Sequence, residues 1–375
     1  MARDIVVLAG TAPHSVLALC KMAKRHNAHT YVVCVDDGFE YYSRSRLVSE
    51  AFMVSRKDEK SFWERFFASH TFDGKPILYP TTDAACLLID NDRAFYEALF
   101  EVCMPTHEII SAYNDKTVAE NEAAKYGLNV PKTCVVRSAT DFEDVIGHLK
   151  LPVIVKPQGA IYLTKVGFKF RIIEKFEDLE DLGVILSQGC QLVIQEYIPG
   201  DDDKYSFYLF YRAKDGTIHD CMGVKTLQRT GIMAVGTVKQ DDYLTHICRD
   251  YLQNIDYYGI GGIEFKRYNG KYYFIEMSTR TEGFLAIAQM AGTSLVEASY
   301  LDITGSSKEV VGAKENTVYV DTFFWILRRI QEKQFGLWIK ELFRFLLNAN
   351  AHLAGIYLDW RFSLCRYWKI LTHKN

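Results

Sequence analysis

Short apolar runs alternate with stretches of helical spacing from the start of the chain. Asp4-Ile-Val-Val-Leu-Ala9 predicts a short buried strand, Gly10-Thr-Ala-Pro13 a turn, and Val16 to Arg25 a helix. Thr30-Tyr-Val-Val-Cys-Val35 is a second apolar run, closed by Asp36-Asp37-Gly38. Strand, helix and strand in that order predict a βαβ opening on a parallel sheet. Pro76 to Pro80 predicts a third strand, and Thr81-Thr82-Asp83 caps the helix that follows. Too few glycines follow the first strand for a dinucleotide fingerprint. This first unit closes near residue 110.

From Asn114 the pattern changes. Asp115-Lys116 opens a charged helix, Thr117 to Tyr126, and Gly127-Leu-Asn-Val-Pro131 stops it before a strand over Thr133 to Arg137. Pro152-Val-Ile-Val-Lys-Pro157, Phe168 to Ile173 and Gln191 to Ile198 predict three more strands, and residues 205–240 alternate apolar and polar as antiparallel strands do. Ile247 to Ile255 reads as a helix. Gly262–Lys266 and Tyr272–Met277 read as the arms of a hairpin turning at Asn269-Gly270. The overall class is α/β with antiparallel additions, in four parts: 1–110, 111–200, 201–305 and 306–375.

Composition narrows the class. At 375 residues the chain exceeds a single compact core. Its 49% hydrophobic and 24% charged residues are those of a globular protein. A net charge of -3 argues against a nucleic-acid binder. The nine cysteines are dispersed singly, which suits buried thiols in a reducing cytoplasm better than disulfides or zinc. No signal peptide is expected at the N-terminus. No run reaches the roughly 18 apolar residues of a membrane span.

Chemistry enters with charges inside apolar strands. Lys156 lies between Val155 and Pro157, where an ammonium is costly unless an anion meets it. Glu264 and Glu276 occupy the two hairpin arms, flanked by Ile263/Phe265 and Ile275/Met277. Converging carboxylates suit Mg²⁺, which takes one or two from protein and completes its octahedron with phosphate oxygens and water. Arg280 follows, where a guanidinium can hold a carboxylate or a phosphoryl group. One register problem arises. A two-residue turn at Asn269-Gly270 pairs residue 264 with 275, which sets Glu264 and Glu276 on opposite faces. Bringing them together requires an odd-length loop or a bulge.

Together Asp115-Lys116, Pro152–Pro157, Gln195-Glu-Tyr-Ile-Pro-Gly-Asp-Asp-Asp203, Gly262-Ile-Glu-Phe265 and Phe274-Ile-Glu-Met-Ser-Thr-Arg280 resemble an ATP-grasp enzyme over residues 1–305. The resemblance implies an ATP-grasp fold with an N-terminal parallel α/β domain, and an ATP- and Mg²⁺-dependent ligase that joins a carboxylate to an amine through an acyl phosphate. It places nucleotide phosphates at Lys116 and Lys156, and adenine at the hinge of Glu196, Tyr197 and Ile198. Ribose falls to Asp202 or Asp203, metal to Glu264 and Glu276, and the acyl phosphate to Arg280. Where many relatives carry a metal-binding Asn, this chain has Ser278, a weaker ligand. The phosphate loop, Gly159 to Gly167, is bulky, and Lys165 and Lys169 supply its charge; it is expected to close over bound ATP. The Pro-Gly-Asp-Asp run and the Lys-rich loop are similar to D-aspartate ligase-like proteins of cell-wall synthesis, which implies an amino-acid carboxylate and an amine on a cell-envelope precursor. No general base for the amine is evident.

Two rivals stand beside this reading: a nucleotide-binding regulator without catalysis, and a biotin-carboxylase-like enzyme using bicarbonate. Oligomeric state is left open, a homodimer included. The tail, residues 325–375, carries nine Lys/Arg against three Asp/Glu and holds Trp325, Trp338, Trp360 and Trp368. It predicts a helical C-terminal extension. Such a tail either packs on its own domain or brings a cytoplasmic enzyme to the anionic inner face of the membrane.

Overall fold

The computed structural model describes residues 2–10, 12–36, 42–146, 148, 150–158, 162–168, 170–229, 231–306 and 309–372. Three sheets organise them. The first contains β1 (Ile5–Ala9), β2 (Thr30–Val35), β3 (Glu50–Val54), β4 (Ile77–Pro80) and β5 (Glu101–Val102), all parallel, in the order β3-β2-β1-β4-β5. Helices cover both faces, which is why β1 is apolar along its whole length instead of alternating. The third strand expected at Pro76 is therefore the fourth. Two strands were overlooked: β3, an edge strand with Glu50 and Met53 exposed and no clear period, and β5, two residues long at the other edge. Thr82 caps helix Asp83–Asn91 by accepting from the Ala85 amide.

The second sheet, β6 (Thr133–Val136), β7 (Val153–Pro157), β8 (Arg171–Ile173) and β9 (Leu192–Glu196), is antiparallel in the order β6-β9-β7-β8. It has its own small core around Val155, Leu182 and Leu192. Helix Lys116–Lys125 leads into it, capped by Asp115 through the Thr117 and Val118 amides. The third sheet has seven strands, β14-β13-β10-β11-β12-β15-β16 in spatial order. They are β10 (Tyr205–Arg212), β11 (Ile218–Arg229), β12 (Ile232–Val238), β13 (Gly259–Tyr268), β14 (Lys271–Ser278), β15 (Val318–Val320) and β16 (Ala351–Leu353).

The C-terminal extension is thus not purely helical. β15 and β16, three residues each and too short to show a period, complete the large sheet. The helical segment Ala354–Thr372, kinked at Asp359, packs on helix Pro13–Arg25, so that Ala354, Leu358 and Phe362 share one core with Val16, Leu17, Phe207 and Leu285. First sheet, large sheet and tail are held by this common core. The four tryptophans divide. Trp325 is buried with Trp338 against it at 6.0 Å, whereas Trp360 and Trp368 are 53% and 72% exposed. All nine cysteines are free thiols and seven are buried. Among the described residues no helix is long and apolar enough to cross a membrane.

Candidate active site

The β13–β14 hairpin builds the centre of the site. Asn269 and Gly270 both take positive φ, +48° and +74°, as a two-residue turn matching strand twist requires. The ladder runs regularly from Tyr268↔Lys271 to Phe265↔Phe274, then skips Ile275, so that Glu264 faces Glu276. This is the bulge the register argument demanded: one extra residue restores both carboxylates to one face. Ser278, opposite Gly262, lies on that face as well. A Cβ on Gly262 would stand 2.8 Å from Glu282 Cγ, so glycine there makes room for a third acid.

Cations surround the pair. Lys225 of β11, fully buried, donates to Glu264 Oε1 at 2.5 Å. Lys156 donates to Gln195 Oε1 at 2.9 Å across β7 and β9, and Gln195 in turn donates to the buried Glu120. Arg280 bonds Asp83 of the first unit through Nε at 2.9 Å and Glu282 through Nη1 at 3.3 Å. The field sorts the two glutamates. Burial raises Glu264, helped by Glu276 and Glu282 and opposed by Lys225. Enclosure in the cleft would raise Glu276 too, but Lys116, Lys225, Arg280 and Lys156 together hold it below the usual carboxylate range. Burial and then repulsion from Lys116 bring Lys156 down to about 8, against the pull of Glu120 and Glu276. Arg280 is held charged: burial opposes its charge, and Glu282 and Asp83 outweigh burial.

Two cavities meet at the carboxylates. A cleft of about 900 Å³ between the small and large sheets is lined by Lys156, Tyr197, Asp202, Asp203, Lys266 and both glutamates. On the other side lies a cavity of about 380 Å³, lined by Arg280, Lys225, the same glutamates, Thr82 and Asp83 of the first unit, and His14. Lys116 opens on a third, smaller hollow beside Glu276, Ser278 and Arg280. Lys266 stands over the Tyr197 and Tyr205 rings at 4.9 and 4.8 Å, a cation on the cleft floor.

Not every expected residue gathers there. Gln195 pairs with Ile154, and so shares the face of β7 and β9 that carries Lys156; Glu196 is on the other face. The exposed Glu196 carboxylate instead accepts from the Lys132 amide at 3.2 Å. The position that shares the Lys156 face is therefore Gln195, one residue earlier. A lone QE pair in a strand does not reveal which member faces in until the register is known. Ile198 is buried, and Lys165 is exposed on the short helix Leu163–Val166. Residues 159–161 and Lys169 of the phosphate loop lie outside the described residues. Asp202 accepts from the Gln228 amide at 2.8 Å, and Asp203 pairs with Lys204. Sequence reasoning missed Lys225, Glu120, Gln195, Glu282 and Asp83. Lys225 carried the same signal as Glu264, a charge inside an apolar alternation; the others become visible only once the strands are paired.

The donor set fits a hard cation. Glu264, Glu276 and Ser278 offer oxygen only, and among the described residues no group of three or more His, Cys, Asp and Glu could hold a metal alone. Oxygen donors of this kind suit Mg²⁺.

The ATP-grasp domain profile matches residues 121–287. In sequence, the chain is 24% identical over 176 residues to the carbamoyl phosphate synthase large chain of Methanosphaerula palustris, covering 44% of this chain and 16% of that protein, a small part of its length. In fold it is similar to an ADP complex of N5-carboxyaminoimidazole ribonucleotide synthetase (TM-score 0.68, 14% identity, 88% of this chain and 85% of the other). The Staphylococcus aureus N5-carboxyaminoimidazole synthetase with ADP gives a TM-score of 0.66 at 16% identity over 85% and 81%. Campylobacter jejuni biotin carboxylase gives 0.64 at 16% over 84% and 74%. The chain carries an ATP-grasp domain.

Proposed function

We propose that this chain is an ATP-dependent ligase that activates a carboxylate as an acyl phosphate and transfers the acyl group to an amine. One observation carries the reading: the Glu264–Glu276 pair stands where the two cavities meet. ATP occupies the larger cleft, with its terminal phosphate at the carboxylates, and the acid to be activated lies in the smaller one. A carboxylate resists nucleophiles because it is anionic and oxide does not leave; phosphorylation removes both obstacles. Glu264 and Glu276, with Ser278 within reach, would hold Mg²⁺, which would supply neutralisation of phosphate charge. The chain's own part is positioning and electrostatics. Lys156 and Lys116 balance phosphate charge, Arg280 holds the acyl phosphate, Tyr197 and Ile198 receive adenine beside Gln195, and Asp202 or Asp203 the ribose. The division into 1–110, 111–200, 201–305 and 306–375 follows the same reading. An amino-acid carboxylate, as in D-aspartate ligase-like proteins, is the substrate we favour. The names of the similar folds support bicarbonate as the second reading. ADP release across amino acids and bicarbonate, each with and without an amine, decides between them. ADP released by no pairing would leave a regulator.

A pH dependence follows from Lys156. Its ammonium binds phosphate, yet in the free protein it titrates near 8, so ATP must draw a proton back onto it above that pH. ATP affinity is expected to fall as pH rises through about 8. Calorimetry at pH 8.5 in buffers of different ionisation enthalpy should show proton uptake on binding, and proton release would contradict it.

The tail gives the enzyme a membrane face. On helix Phe335–Leu347 the outward side carries Ile339, Phe343, Leu346 and Leu347, the last 84% exposed, beside exposed Lys340 and Arg344. On helix Ala354–Thr372 the exposed stripe is Trp360, Leu364 and Trp368 next to Arg361. Apolar side chains flanked by cations fit an anionic bilayer, each cation adding on the order of 1 kcal/mol. Because Trp325, Leu358 and Phe362 are core, truncation is the wrong test. The variant Phe343→Glu/Leu347→Glu should fold yet lose low-salt co-sedimentation with phosphatidylserine vesicles. Wild type that ignores such vesicles would refute the idea.

A further inference from the structure

We propose that His14 is the base that takes the proton from the attacking amine. The inference rests on the ligase reading and supplies the group its mechanism lacks. An amine in neutral water is an ammonium without a lone pair, so attack requires an acceptor in the acyl-side cavity. Most acids lining that cavity are engaged: Glu264 with Lys225, and Asp83 and Glu282 with Arg280. Glu276 faces Glu264 across the bulge and is assigned above to the metal.

His14 lies in the first turn of helix Pro13–Arg25, on the wall of the 380 Å³ cavity and only 3% exposed. Its Nδ1 is 2.6 Å from the Tyr319 hydroxyl and 3.4 Å from Asp321 Oδ2. Asp321 is itself fixed, because its Oδ1 accepts from the Phe323 and Phe324 amides at 3.1 and 3.2 Å and caps helix Thr322–Gln331. Asp321 can only accept at Nδ1, and the Tyr319 hydroxyl can accept there too; the ring proton is assigned to Nδ1, which leaves Nε2 its lone pair. A capped carboxylate orienting an imidazole toward a reacting group is the logic of an Asp–His couple. The charged groups around the ring are Asp321 and Arg366, and the Tyr319 hydroxyl is the nearest polar neighbour. Burial and Arg366 outweigh Asp321 and favour the neutral ring.

The step balances. Nε2 takes one proton from the ammonium, and the freed nitrogen pair attacks the acyl carbon to form the C–N bond. The C–O bond to phosphate breaks, and phosphate leaves with that electron pair and the second ammonium proton. His14 then releases its proton to water.

Hydroxylamine, largely unprotonated at neutral pH, separates base catalysis from everything before it. At pH 7.5, with ATP, Mg²⁺, the twenty L-amino acids, D-aspartate and bicarbonate, hydroxamate formation is compared with amide formation from ammonium chloride. H14Q is expected to keep hydroxamate formation within about threefold and to lose about 100-fold with ammonia. Asp321→Asn, which retains a capping oxygen but no longer fixes the ring proton, should show the same split more weakly, and it serves if H14Q misfolds. Equal loss with both nucleophiles, or none with either, overturns the assignment. So does a wild type that makes hydroxamate but no amide from ammonia, the smallest amine. A wild type that makes neither overturns the ligase reading and His14 with it.

Discussion

Glu276→Ala is expected to cut ATP turnover by about a thousandfold or more while leaving the fold intact. The carboxylate faces Glu264 across the bulge and is the anion on which Lys116, Lys225, Arg280 and Lys156 converge. Removing it takes away half of the acidic donor set and leaves four cations without their common partner. Preorganised charge of this kind is worth about 10²–10³ in rate per group, and a lost metal ligand adds to that. Stability should change little, because Glu276 is open to the cleft and packs against no core. Single-turnover ADP release, read beside a thermal melt, checks it. Near-normal turnover in Glu276→Ala would place the metal and the phosphates elsewhere.

Lys156→Ala is expected to lower kcat/KM for ATP by about 10²–10³, again in a folded protein. Its half-buried ammonium donates to Gln195 and is held near 8 by desolvation and by Lys116, so it is charged at neutral pH only at some cost. That cost is recovered when phosphate arrives. The variant should therefore bind ATP more weakly and also lose the proton uptake expected at pH 8.5, which a lysine with only a structural role would not supply. Lys156→Arg should not restore full activity, since a planar fork does not replace a compact ammonium on a strand packed between Val155 and Pro157. Unchanged ATP affinity in Lys156→Ala would remove Lys156 from the phosphate site.

Where apolar periodicity is strong, the fold was legible. β1, β2, β4, the capped helices at Thr82 and Asp115, and the hairpin turn at Asn269-Gly270 follow from local pattern, because burial on one or two faces writes itself into the residues. β3, β5, β15 and β16 were not legible, being edge strands or strands of two or three residues whose stability comes from neighbours distant in sequence. The site divides along the same line. Lys156, Glu264, Glu276 and Arg280 were visible as charges where apolar residues belong. The pairing of Glu264 with Glu276 required a bulge that no residue at Ile275 announces. Register also set Gln195, not Glu196, on the face that carries Lys156, Lys225 went unread although it carried the same signal as Glu264, and only tertiary contact brought in Asp83 and the His14–Asp321 couple. Local sequence identifies charges that need partners; the sheets decide which partners they meet.

The acyl-phosphate route is tested most directly by following oxygen. With the acid that supports ADP release supplied as its ¹⁸O-labelled carboxylate, together with ATP and an amine, one labelled oxygen should appear in inorganic phosphate for each amide formed. ADP, not AMP, should be the nucleotide product. Unlabelled phosphate, or label passing to AMP, would contradict activation by phosphoryl transfer at the Glu264–Glu276 centre.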